Sequence, residues 1–350
     1  MELLKRLCEA PGISGYENEV TAIIKEELEP LCDKVEIDRL GNVIALKKAT
    51  ERENNTERKK VMLAAHMDQI GFLVKSIDQH GFIRFACLGG FDPKTLVAQR
   101  VIIHGQKKII GVIGSKPIHV LEEAEKKKAP EMKDFFIDVG LEKKEVEHLI
   151  QPGDVITFDR DFVQMNDKVV TSLALDNRVG VYVLIEAIRR VKNHEVDIYA
   201  VATSQEEVGL RGATTSSYAI KPDIGIALDV TIAMDTPGIK EEEKGCALGK
   251  GTAITVLNSS VIAHRGLYQF LRRLAEENNI DYQIDVMERG GTDAGSIQKS
   301  RSGVITGGLS IPSRYIHSVV EMCHLDDVEA TIKLLVCFLE KVHLADFFSL

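Results

Sequence analysis

The sequence predicts an α/β protein: a mostly parallel central sheet with helices on both faces, and a small β-barrel inserted into it. Two observations carry that prediction. From residue 169 onward, apolar runs of strand length alternate with amphipathic stretches of helical period, the pattern of parallel strands joined by helices. Between residues 71 and 165 the helical period fades, and short β-type runs follow one another across Gly-rich turns. A chain of 350 residues has room for both parts. Residues 1–70 and 166–350 then form one domain, interrupted by 71–165.

The first 30 residues read as helical. Ser14 and Glu17 have the spacing of a capping box ahead of NEVTAIIKEELEPL, and Pro30 marks the stop. KVEIDRLGNVIALKK (34–48) reads as two short strands about a Gly-Asn turn, and the polar run 49–60 as an exposed loop tip. VMLAAHMD (61–68) is a buried strand with a polar end, so the first 70 residues join the later sheet. The inserted segment holds GFLVKSI, GFIRFAC, RVIIHG, KKIIGVIG, FFIDVG and DVITFD, with a charged stretch at 122–134. VVTSLAL (169–175) is a strand, and NRVGVYVLIEAIRRV (177–191) is a helix with one apolar face. VDIYAVAT and DIGIALDV are strands, LYQFLRRLAEENN a helix, YQIDVM a strand, TDAGSIQKS a helix start and GVITGGLSI a strand. DDVEATIKLLVCFLEKV (326–342) closes the chain as a helix, with acids in its first turn where the helix dipole favours them.

Composition excludes several function classes. A net charge of −9 argues against nonspecific nucleic-acid binding, and the Lys-rich stretches at 47–60 and 125–128 have Glu mixed in or beside them. No run of about 18 apolar residues exists to span a membrane, and MELLKRLCEAPG lacks the apolar core of a signal peptide. Cys8, Cys32, Cys87, Cys246, Cys323 and Cys337 form no CxxC pair, so free thiols in a cytoplasmic protein are expected. Neither GxxxxGK[ST] nor GxGxxG is present, which leaves nucleotide binding without support. The absence of GxSxG argues against a serine hydrolase.

The chemistry lies at the strand ends. Glu206 and Glu207 follow the apolar run of 196–203, where adjacent carboxylates repel each other and lose solvation. Alone, such a pair is better explained by a solvated loop. Yet VMLAA leads to His66 and Asp68, VVTSLAL to Asp176, DIGIAL to Asp229, and GVITGGLSIP to His317. In open α/β sheets ligands bind beyond the carboxyl ends of the strands. His66, Asp176, Glu207, Asp229 and His317 are too many donors for one tetrahedral zinc. They suit two divalent ions sharing a bridging carboxylate and a water, about 3.5–4 Å apart in such sites. Asp68 would fix the tautomer of His66, and Glu206 would be the free carboxylate that moves protons.

AHMDQIGF, ALDNRVG, SQEEVGLRGA, ALDVTIAMDTPG and RYIHS, in that order, resemble the M42 family of metalloaminopeptidases, which includes glutamyl aminopeptidases and the tetrahedral TET peptidases. The resemblance spans essentially the whole chain. It implies one ion held by His66 and Asp229, a second by Glu207 and His317, Asp176 bridging them, and Glu206 as the base. It implies two divalent ions (zinc or cobalt, with manganese also suited), peptide substrates, and a zinc-peptidase-like fold. The inserted barrel would be a dimerisation domain, with dimers assembling into tetrahedral dodecamers. Two positions depart from the pattern: Asn177, where the family often has Asp, and Gln69, where it often has Glu.

Gly290–Gly295 opens a helix after a strand, which suits either an ordinary turn or a substrate contact. His80, His104, His148, His194, His264 and His343 have no ligand pattern around them, and His119 is assigned no role. The competing readings are a metal-dependent deacylase or carboxypeptidase, a metal-independent endo-glycosidase, and an inactive scaffold of the same fold.

Overall fold

The structure, a computed structural model, describes residues 1–50 and 58–347. The expected loop tip at 49–60 lies mostly outside them. Three strands enter a large sheet first: β1 (Lys34–Ile37), β2 (Val43–Lys47) and β3 (Lys60–His66). The chain then builds a closed antiparallel barrel from β4 (Gly71–Ile77), β5 (Ile83–Leu88), β6 (Arg100–His104), β7 (Lys108–Gly114), β8 (Phe136–Asp138) and β9 (Val155–Phe158). It returns to the sheet with β10 (Val163–Gln164), β11 (Val169–Ser172), β12 (Asp197–Thr203), β13 (Ile224–Ile232), β14 (Thr252–Leu257), β15 (Tyr282–Val286), β16 (Ile305–Arg314) and β17 (Glu321–His324). The α-helices are α1 (Glu2–Glu9), α2 (Asn18–Leu28), α3 (Glu123–Lys126), α4 (Lys143–Leu149), α5 (Leu175–Arg190), α6 (Arg211–Ile220), α7 (Arg265–Glu277), α8 (Ala294–Gln298) and α9 (Leu325–Lys341).

The sheet runs β1-β2-β12-β3-β13-β16-β17-β11-β10, with β14 on β16 and β15 on β14. Its centre, β12-β3-β13-β16, is parallel, and most flanking pairs are antiparallel. The central strands are apolar on both faces because both are covered. Along β3, Val61, Leu63 and Ala65 belong to the main core, to which α1, α2, α5, α7 and α9 contribute, while Met62 and Ala64 belong to a second core with α6 and α8. Each large apolar side chain so buried contributes about 1.5–3 kcal/mol. In the barrel core Phe72 stacks on Phe91 and meets Phe158 edge to face. The outer face of β7 leaves Ile110 and Val112 exposed. Among the described residues no helix is long and apolar enough to cross a membrane.

Two local expectations change. Ser14 and Glu17 do not form a capping box on α2, which carries no side-chain cap. The Ser14 hydroxyl donates instead to Asp68 at 2.6 Å, and Glu17 accepts the Gly15 and Gln205 N–H groups, at 2.8 and 3.1 Å. VVTSLAL is a strand only as far as Ser172, because Ala174 turns left-handed (φ +62°). Asp176 therefore sits not at a strand end but in the irregular first turn of α5.

Candidate metal centre

Parallel register brings the expected residues level with one another. His66 ends β3 and pairs with Thr203, three residues before Glu206. Ala227 pairs with Ala64, so Asp229, two residues on, stands beside His66. Asp229 is within β13 rather than at its end, because that strand runs on to Ile232. His317 lies in the turn between β16 and β17.

These side chains form two groups, His66–Asp176–Asp229 and Asp176–Glu207–His317, each with donor atoms within 4.8 Å of one another. Asp176 belongs to both. Its Oδ1 lies 3.1 Å from His66 Nε2, and its Oδ2 lies 3.5 Å from His317 Nε2. His66 Nε2 is 3.6 Å from Asp229 Oδ1, and His317 Nε2 is 3.3 Å from Glu207 Oε2. Glu206 stands apart from both groups, with Oε2 4.0 Å from His66 Nε2.

Burial and neighbouring charge compete within the cluster. Burial raises the Glu206, Glu207 and Asp229 carboxyls above the usual carboxylate range. Burial would lower the histidines, but the carboxylates around them prevail. His66 is driven well above its usual value, and His317 is pushed up to about 11. Against its own burial, Asp176 is held well below the carboxylate range by hydrogen bonds to His317 and His66. A buried pocket that gathers this many carboxyl groups around two imidazoles suits a cation. Mixed imidazole and carboxylate donors fit divalent zinc, cobalt or manganese.

The surroundings hold the donors in place. The expected contact of Asp68 with His66 is only part of its role. His66 Nδ1 is nearer the Asp68 backbone carbonyl, at 3.2 Å, than its carboxylate, at 3.4 Å. Besides the Ser14 hydroxyl, the Asp68 carboxylate accepts the N–H groups of Glu206 (2.9 Å) and Glu207 (3.2 Å). Asn177 donates to the Leu228 carbonyl at 2.7 Å, and a deprotonated Asp would have no hydrogen to give there. Gln69 accepts from the buried Arg178, which also ties down the Leu7, Ala10 and Gly12 carbonyls. Asp293, at the Gly290–Gly295 turn, accepts from Thr203 at 2.5 Å, and burial raises its carboxyl to about 7.

The family is settled by comparison: a model of the M42 glutamyl aminopeptidase family matches residues 41–334. The chain belongs to the M42 family. M42 aminopeptidases are metal-dependent, as the paired donor groups suit. A lysyl aminopeptidase of Pyrococcus furiosus is 39% identical over 99% of this chain and 98% of its own. Aminopeptidase APDkam598 from the archaeon Desulfurococcus kamchatkensis has the same fold, with a TM-score of 0.92 and 42% identity over 97% of this chain and 94% of that one. The Pyrococcus horikoshii TET1 peptidase, described as assembling into a tetrahedron or a large octahedral shell, has a TM-score of 0.83 and 35% identity over 97% and 98%.

Sequence reading missed three parts of this M42 site. Glu321 accepts the N–H groups of Asp176 and His317. Gly89 and Gly90, from the barrel, form a wall: a Cβ on Gly89 would stand 3.3 Å from Glu207 Oε2, and one on Gly90 3.3 Å from His317 Nδ1. Gly89 also has φ +87°, which disfavours any side chain there. The Gly-Gly pair after FACL is the signal the sequence offers for this wall, and it reads equally as a turn.

Proposed function

We propose that this chain is an aminopeptidase that removes residues from the free N-terminus of peptides with the aid of two divalent ions. The observation that carries the reading is Asp176, with one oxygen toward each histidine. His66, Asp176 and Asp229 would hold one ion, and Asp176, Glu207 and His317 the other. Zinc or cobalt fits this donor set, and manganese is also suited. Such ions polarise the scissile carbonyl and acidify water. Glu206 takes the proton of the attacking water and returns it to the leaving amine. Asp68 supports this indirectly, by fixing the backbone that carries Glu206 and Glu207.

Residues 1–70 and 166–350 would form the catalytic domain, and 71–165 the dimerisation domain. Exposed Ile110, Val112, Ile118 and Val120 in the latter segment support a contact between copies. Dimers would build a dodecamer, as the assembly of the TET1 relative suggests. A mass in solution above that of a dimer is expected by light scattering, and a strict monomer contradicts it. The six unpaired cysteines suit a reducing cytoplasm.

A panel of aminoacyl-p-nitroanilides tests the activity. Hydrolysis is expected to stop with EDTA and return with Zn²⁺, Co²⁺ or Mn²⁺. No hydrolysis under any condition removes the reading, and cleavage confined to N-acylated or C-terminal substrates favours the deacylase or carboxypeptidase instead.

A further inference from the structure

Two buried carboxylates outside the candidate donor groups hold the backbones of residues within or beside them. Asp68 takes the adjacent Glu206 and Glu207. Glu321, on β17 and 2% exposed, joins residues far apart in sequence. Its Oε2 accepts the Asp176 N–H at 2.8 Å and its Oε1 the His317 N–H at 2.9 Å. Glu321 thus links the residue common to both groups to one that belongs to a single group.

His317 needs that link more than the other donors do. It lies in the turn after β16 with φ +61°, a left-handed conformation, and its side chain is 37% exposed. His66 and Asp229 instead lie on β3 and β13, whose backbones are held by neighbouring parallel strands.

We propose that Glu321 is a positioning residue that sets the affinity of one metal position, the one formed by Asp176, Glu207 and His317. The position formed by His66, Asp176 and Asp229 depends mainly on the sheet. This inference rests on the two-ion reading above. A carboxylate offers an acceptor to each N–H, whereas a Gln of the same size offers one oxygen and turns an NH₂ toward the other donor. The N–H left without an acceptor is expected to be that of His317, whose left-handed turn has no strand neighbour to hold it, so His317 leaves the shared frame.

The test is Co²⁺ titration of the EDTA-stripped full chain by calorimetry, with bound metal counted by mass spectrometry. Wild type is expected to take two equivalents. In Glu321→Gln, one ion should bind within about threefold of wild type and the other about 10–100-fold more weakly, the usual effect of losing an outer partner. Glu321→Asp keeps the charge but shortens the reach, and should fall between the two. If circular dichroism shows Glu321→Gln unfolded, Glu321→Asp carries the test alone. Two ions at wild-type affinity in the folded variants, or equal weakening of both, overturns the proposal. Wild type that binds fewer than two equivalents overturns the two-ion reading itself, and this inference with it.

Discussion

Replacing Glu206 by Gln is expected to lower kcat by about 10²–10⁴-fold, the usual contribution of a positioned general base, with both ions still bound. Glu206 belongs to neither donor group. Its backbone N–H is held by Asp68 whatever its side chain is, so Gln leaves the loop in place. Only the proton acceptor is lost, and KM should change little. Glu207→Ala should behave differently. It removes a donor facing His317, so metal content falls along with activity. The check is kcat and metal content for both variants side by side. Equal metal loss in the two would end this division of roles.

Asp176→Ala is expected to have the largest effect on metal binding, with both ions lost together. Each group would keep only two donors, His66 with Asp229 and Glu207 with His317. The fall in affinity should exceed the roughly 10–100-fold caused by losing an outer-shell partner. Stability offers a second readout. An ion that binds only the folded state raises the melting temperature by mass action. EDTA should therefore lower the melting temperature of wild type and leave that of Asp176→Ala unchanged. Retention of one ion at wild-type affinity would show that Asp176 serves only one position.

Much of the site was legible in the sequence because its donors follow strongly patterned strands. His66 and Asp229 interrupt apolar runs that have no other reason to carry polar residues. Asp176 was found, but its setting was not. A left-handed Ala174 ends the strand early, and nothing in VVTSLAL announces that turn. Ser14 and Glu17 misled because capping-box spacing is local, whereas Asp68, which accepts from Ser14, and Gln205, one of two donors to Glu17, are distant.

By itself, the sequence determined the alternation of strands and helices, the inserted barrel and the choice of candidate donors. Each of those is set by periodicity, or by residue type within a few positions. The M42 resemblance had already implied how the candidate donors group; only the tertiary structure decided which backbones Asp68 and Glu321 hold, and that a barrel loop walls the centre. The physical reason is range. Glu321 reaches Asp176 across 145 residues, and Asp68 reaches Glu206 across 138. A carboxylate that accepts a backbone N–H leaves no mark on the residue type of its partner.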